Sequence, residues 1–238
     1  AKEYGLWIIE DACHAPGGFF TDSKGEKVKC GSGQYSDLIC FSFHPVKHIT
    51  TGEGGMITTA NEELYKRLLK LRTHGITREN MPMEKGGWYH EMQVLGYNYR
   101  LPDLNCALGL SQLKKADQGL NRRKEIAVKY DKAFESVPQI KKQIQPNGFS
   151  NAYHLYIILA EDRKGLYDFL REKSIFTQVH YIPAHLHPYY QDLGWKKGDL
   201  PKAEKYYEQC LSIPMYPTLE DEEQAYVIDA IKNFYSER

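Results

Sequence analysis

Two short stretches of this sequence concentrate the residue types that do chemistry. One reads Glu10-Asp11-Ala12-Cys13-His14-Ala15-Pro16-Gly17-Gly18, the other Ser42-Phe43-His44-Pro45-Val46-Lys47-His48. Each follows an apolar run, Leu6-Trp7-Ile8-Ile9 before the first and Leu38-Ile39-Cys40-Phe41 before the second. In an open parallel sheet, ligands bind outside the carboxyl ends of the strands, so Asp11 and Lys47 would face one crevice. A lysine amine that forms a Schiff base, with an aspartate that pairs with a protonated pyridine nitrogen, is what pyridoxal phosphate needs to act as an electron sink. His14 suits a bond to the cofactor's phenolic oxygen, or a satisfied loop histidine. Ser42 suits a phosphate or a local turn. Thr51-Gly52-Glu53-Gly54-Gly55 permits close backbone approach to a ligand. Taken singly, a strand-end lysine reads as solvated surface and a strand-end aspartate as a turn residue. The pair carries the reading.

The elements that must position these residues follow from hydrophobic pattern. Leu6 to Glu10 reads as a fully buried strand of a parallel sheet, Asp37 to Phe43 repeats the pattern, and Gly54 to Ala60 is a third strand. Asn61 is a helix N-cap followed by Glu62 and Glu63, with Leu64, Leu68 and Leu71 on one face and Gly75 as the stop. Ile76 to Tyr99 is Gly-, Met- and aromatic-rich without a period, which predicts a long excursion over or between subunits. Pro102 opens a helix whose Leu104, Leu108 and Leu110 to Leu113 point toward a core, and Asn121 to Val137 forms a more charged helix. After a turn at Pro146-Asn147-Gly148 come a strand (Tyr153 to Leu159), a helix (Arg163 to Lys173), a strand (Thr177 to Ile182) and two helices (Lys202 to Leu211, Glu220 to Tyr235). The rhythm is that of an α/β protein, with residues 1–120 in a larger domain and 121–238 in a smaller one.

Composition narrows the function classes. Lys+Arg 31 balances Asp+Glu 31, so the chain offers no basic footprint for nucleic acid. Its apolar runs fall far short of the roughly 20 residues that span a bilayer, and no signal peptide opens it, so a cytoplasmic setting is expected. Five cysteines (Cys13, Cys30, Cys40, Cys106, Cys210), spread without a C-x-x-C pair, suggest reduced thiols rather than a disulfide framework or a zinc site. His180, His185 and His187 include an H-x-H pair, but no carboxylate shell supports a metal there. The aromatic-rich run from His180 to Tyr190 reads better as a sugar or interface surface.

Several motifs in order carry a resemblance. Glu10 to Ala15, Phe41 to Lys47, Gly52-Glu53-Gly54-Gly55, His74-Gly75 and Leu95-Gly96-Tyr97-Asn98-Tyr99-Arg100-Leu101 resemble the DegT/DnrJ/EryC1/StrS family of pyridoxal phosphate-dependent sugar aminotransferases. The resemblance runs over essentially the whole chain. It implies the aspartate aminotransferase-like, fold type I architecture, here a partial large domain plus a small C-terminal α/β domain. It also implies roles. Lys47 matches the lysine that binds the cofactor covalently and then shuttles a proton. Asp11 matches the pyridinium partner, His14 the residue near the cofactor's oxygen, and Ser42 a phosphate ligand. Asn98 matches a residue that reaches the cofactor phosphate of a neighbouring subunit, which implies a homodimer with shared active sites. Arg100 serves a substrate or a structural ion pair. Val179 to Pro183 and Pro188-Tyr189-Tyr190 resemble members that aminate C4 of a UDP-linked 4-keto-6-deoxy-N-acetyl sugar, with glutamate as donor by resemblance. Perosamine-type amination of another nucleotide sugar is the alternative within the family. Members of full length carry a further large-domain segment before the position of Ala1, which opens the chain in what looks like the last turn of a helix ending at Gly5. The chain is then expected to be part of a longer protein, or a truncated form that only dimerises or binds ligand.

Overall fold

The computed structural model describes residues 1–236, which form two compact units, Ala1–Ala116 and a second that begins at Asp117. The first unit contains β1 (Ile9–Asp11), β2 (Phe19–Thr21), β3 (Lys27–Lys29), β4 (Leu38–Ser42), β5 (Gly55–Thr58), α1 (Glu62–Leu71), β6 (Ile76–Thr77), β7 (Glu91–Met92) and α2 (Asp103–Leu113). β1 runs parallel to β4 with Asp11 opposite Cys40, and β5 runs antiparallel to β4 with Ser42 opposite Gly55. Because side chains alternate along a strand, Asp11, Cys40 and Ser42 share one face, while Glu10, Ile39 and Phe41 share the other. That other face is held from behind. Glu10 accepts the Gly31 amide at 2.6 Å and the Ser36 hydroxyl at 3.1 Å, which fastens the loop after β3. Gly31 is required there: its φ is +84°, and a Cβ would come within 2.4 Å of the Phe41 ring.

Asn61 caps α1 as expected, its Oδ1 accepting the amides of Glu63 at 2.9 Å and Leu64 at 3.1 Å. Two expectations fail in this unit. The run Leu6 to Glu10 reads as a fully buried strand, yet only Ile9–Asp11 is extended in β1, and Trp7 and Ile9 are 64% and 62% exposed. The reason is position, since β1 is an edge strand of a three-stranded sheet. The leucines of α2 likewise stay exposed, Leu104 at 86%. The buried apolar side chains of this unit are Ala12, Val28 and Ile39.

The second unit contains α3 (Ala116–Ala133), β8 (Ile140–Lys142), β9 (Phe149–Ser150), β10 (Tyr156–Ala160), α4 (Arg163–Glu172), α5 (Pro188–Gln191), α6 (Pro201–Gln209), β11 (Cys210–Ile213) and α7 (Asp221–Ser236). β10 is central, antiparallel to both β11 and β8. Tyr156, Ile158 and Ala160 of β10 join Ile126 and Tyr130 of α3, Leu166 and Leu170 of α4, Leu211 of β11 and Ile231 and Phe234 of α7 in one apolar core. Two connections are polar. Arg123 of α3 donates through one guanidinium nitrogen to the carbonyls of Tyr153, His154 and Met215 at 2.9–3.1 Å. Burial pulls its pKa down to about 10. Glu204 of α6 accepts His185 Nε2 at 2.8 Å and the Gly198 amide at 2.7 Å, clasping the segment between them.

The expected strand Thr177 to Ile182 is reduced to a single bridge between Gln178 and Ser212. The expected helix Lys202 to Leu211 stops at Gln209, and Cys210–Ile213 instead forms β11, all four residues buried. Pairing with β10 overrides the helical continuation there, and no local pattern reports a pairing partner so distant in sequence.

Candidate active site

Asp11 is the last residue of β1, and the chain after it is locked to β4. The Ala12 amide donates to the Cys40 carbonyl at 2.9 Å, extending the strand pairing by one residue, and Ala15 closes a turn on the Ala12 carbonyl at 3.0 Å. Within that turn the Cys13 amide donates to Asp11 Oδ1 at 3.0 Å. This aspartate-headed turn fixes where the carboxylate points. The Cys13 thiol donates to the Cys40 carbonyl at 3.7 Å. The thiol and amide of Cys13, aided by the charges of His14 and Lys47, hold the Asp11 carboxyl below its ordinary range against a desolvation that opposes them. The Cys13 thiol moves the other way. Burial, followed by the neighbouring Asp11 carboxylate, pushes it up to about 11.

Lys47 ends a turn beyond β4, its amide donating to the His44 carbonyl at 3.0 Å. The Ser42 hydroxyl supports the same turn by accepting the His44 amide at 3.3 Å, so the local role open to Ser42 is occupied. The Lys47 amine hydrogen-bonds His14 Nε2. Desolvation lowers its pKa from the usual lysine value, partly offset by Cys13 and Asp11. A half-buried amine of lowered basicity is neutral more often near neutral pH and so more nucleophilic.

The structure thus brings Asp11, His14 and Lys47 together from two distant stretches, with Ser42 on the same sheet face as Asp11. Asn98 stands elsewhere in this unit, exposed, on a segment bridged to Thr73. Tyr97 and Tyr99 stack beside it at 4.9 Å between ring centroids. The glycine stretch serves the protein's own packing. At Gly54, with φ +146°, a Cβ would meet Thr51 Oγ1 at 2.6 Å and Leu101 at 2.8 Å. Cys13 is the residue that sequence reasoning missed as a neighbour of the group, and its place two residues past a strand-end aspartate was the available signal. In the second unit His180 pairs with the Ser212 hydroxyl at 2.7 Å and His185 with Glu204. The described residues hold no group of His, Cys, Asp and Glu suited to a metal. No described helix is long and apolar enough to cross a membrane.

An amine of lowered pKa, an imidazole in contact with it and an ionised carboxylate are a set suited to carbonyl addition and proton transfer. Known proteins of similar sequence and shape are sugar aminotransferases. The UDP-4-amino-4,6-dideoxy-N-acetyl-beta-L-altrosamine transaminase of Campylobacter jejuni serotype O:2 is 39% identical over 236 residues, covering 97% of this chain and 59% of the transaminase. The solved structure of a putative sugar aminotransferase, Spr1654 from Streptococcus pneumoniae in its PMP form, superposes with a TM-score of 0.87 at 32% identity, over 98% of this chain and 59% of that one. Helicobacter pylori PseC, an aminotransferase of pseudaminic acid biosynthesis, superposes with a TM-score of 0.86 at 30% identity, over all of this chain and 62% of that one. The architecture is therefore the α/β fold type I of these aminotransferases, and the chain spans about three-fifths of the length of the relatives it matches. With residues 1–232 matching the family as a whole, the chain belongs to the DegT/DnrJ/EryC1/StrS aminotransferase family.

Proposed function

We propose that the full-length protein is a pyridoxal phosphate-dependent transaminase that moves an amino group from glutamate to C4 of a UDP-linked 4-keto-6-deoxy-N-acetylhexosamine. The observation that carries this reading is the contact of the Lys47 amine with His14 beside an Asp11 carboxylate held in its ionised form. The residues fit the cofactor by their chemistry: Asp11 offers a fixed negative charge to a ring nitrogen, Lys47 an amine of lowered basicity, His14 a hydrogen-bonding imidazole and Ser42 a hydroxyl on the same face. Pyridoxal phosphate, when bound, supplies the electron sink for the reaction.

The chain's own residues account for the rest. Asp11, held as a carboxylate with the Cys13 amide on its Oδ1, would keep the ring nitrogen protonated. The Lys47 Nζ would take and return the proton at the reacting carbon. Desolvation lowers its pKa from the usual lysine value, which makes the neutral amine needed to accept that proton more available. His14 steadies that amine through its Nε2. In this reading Asn98 serves the site of a second copy of the chain, the enzyme is a homodimer, and it works in the cytoplasm. Binding energy from the nucleotide, remote from the ketone, would orient the sugar.

The test is to assay the full-length protein with glutamate and a panel of UDP-, dTDP- and GDP-linked 4-keto sugars, following the amino product by mass. The expected result is preference for the UDP-N-acetyl sugar. A GDP- or dTDP-sugar preferred by a wide margin overturns the substrate, and absence of amino transfer from every donor and sugar pair overturns the transaminase.

A further inference from the structure

The segment that carries Lys47 leaves β4 at Phe43 and returns to β5 at Gly54, and its two ends are tied to each other. The Phe43 amide donates to the Gly54 carbonyl at 2.9 Å, and the Phe43 carbonyl accepts the Thr51 amide at 3.0 Å and the Thr50 hydroxyl at 3.3 Å. Lys47 thus sits in a closed loop with Phe43 at one post and Thr51 at the other. A further support comes from a distant part of the chain. Asn105 of α2 donates through Nδ2 to the Thr51 carbonyl and, at 3.5 Å, to that of Glu53, which also accepts the Thr51 hydroxyl at 2.7 Å. One turn further along, α2 presents Gly109, where a Cβ would come within 2.8 Å of the Thr51 methyl. Residues four apart share one helix face, so this face meets Thr51 first with a donor and then with no side chain at all. Thr51 is only 2% exposed against it.

We infer that Asn105 is a positioning residue for Lys47: by fixing the Thr51 end of the closed loop, it sets where the Lys47 amine stands relative to Asp11 and His14. The inference rests on the pyridoxal phosphate reading above and adds to it a residue from a different element. Two carbonyls facing one side chain need an N–H donor. An aspartate has the same shape but, when ionised, only acceptors, so Asn105→Asp sets a carboxylate against those carbonyls and frees the returning limb of the loop. Gly109→Ala pushes on the same limb at the neighbouring contact, while raising the helical preference of α2 itself. Misplacing a reacting group by about 1 Å costs up to about 100-fold in rate, and Lys47 is the reacting group that this loop carries. Asp11, at the exit of β1, is held by its own turn instead.

The experiment uses the full-length protein as wild type, Asn105→Asp and Gly109→Ala. On mixing with pyridoxal 5′-phosphate, the Lys47 nitrogen bonds the aldehyde carbon, and the aldehyde oxygen leaves as water with the two amine protons. The rate of the resulting absorbance change reports how well Lys47 is placed. Pyridoxine 5′-phosphate carries an alcohol where the aldehyde would be and cannot make that bond, so its dissociation constant reports the rest of the site. Both variants are expected to form the Lys47-bound chromophore about tenfold more slowly or worse, with the pyridoxine 5′-phosphate dissociation constant changed by less than about twofold. Thermal melting of the cofactor-free proteins checks the fold, and if Asn105→Asp is unfolded at the assay temperature, Gly109→Ala carries the comparison. Chromophore formation at the wild-type rate in a folded variant overturns the inference. So does a parallel loss of both readouts, which would make this helix face a support of the whole site rather than of Lys47. A wild-type protein that forms no Lys47-bound chromophore overturns the pyridoxal phosphate reading itself, a failure seen before any variant is compared.

Discussion

At the scale of single residues, the candidate site depends on Asp11, whose carboxyl is held low chiefly by Cys13, on Lys47, whose amine is lowered by desolvation, and on His14 in contact with that amine. Asp11→Asn keeps the shape and removes the charge, so it is expected to weaken pyridoxal phosphate binding by about 10- to 100-fold, the range of a charged hydrogen bond. The melting temperature should stay nearly unchanged, because Asp11 is exposed. Equilibrium titration of the cofactor against both proteins measures this. The thiols give an independent check. The Cys13 thiol is pushed up to about 11 and little thiolate forms near neutral pH, whereas Cys106 is exposed. Timed alkylation with mass mapping should therefore modify Cys106 well before Cys13, and rapid labelling of Cys13 would contradict the environment described. Asp11, His14 and Lys47 were legible in the sequence because a carboxylate, an imidazole and an amine after apolar runs are chemically conspicuous. Cys13 was not, since a cysteine reads the same whether its thiol bonds a neighbouring strand's carbonyl or fills space. At Gly54 and Gly55 a Cβ would meet Thr51, Leu101 and the Phe41 carbonyl, and sequence reports the need for a missing side chain without naming what occupies the space.

At the scale of elements, the second unit rests on two polar fasteners within an apolar core. Arg123→Met leaves three carbonyls without their donor, and at about 1 kcal/mol or more for each unsatisfied group the expected loss is about 3 kcal/mol of unfolding free energy. Urea denaturation of wild type and variant reads it directly. The Glu204 clasp predicts a pH dependence. His185 and the Gly198 amide hold the Glu204 carboxyl below its ordinary value, so its contribution to stability is present above the usual carboxylate range and is lost as pH falls through the lowered folded value. Melting temperatures from neutral to acidic pH should fall less steeply for Glu204→Gln than for wild type. The helices were legible from caps and periodicity, as at Asn61, and α4 and α7 lie close to where the pattern puts them. β11 was not legible, because Cys210–Ile213 is a strand only by virtue of β10 beside it.

At the scale of the whole molecule, the two units differ in how much they bury. The second has a continuous core of the kind that supports folding, while the first leaves Leu6, Trp7, Ile9 and the α2 leucines exposed. The apolar runs announced these surfaces correctly as apolar; what covers them is not written in the local pattern. If Asn98 serves a second copy, a Lys47→Ala protein mixed and refolded with an Asn98→Ala protein should regain about a quarter of wild-type activity, since half of randomly formed two-fold dimers are mixed and each carries one intact site. Mixtures that regain none would remove Asn98 from the shared site. The most direct measurement of the central claim is chemical. The full-length protein is loaded with pyridoxal 5′-phosphate, reduced with borohydride, digested and mapped by mass spectrometry. The account predicts one phosphopyridoxyl peptide, carrying the label on Lys47, and its disappearance in Lys47→Ala; a label on any other lysine, or none on the loaded wild type, would contradict it.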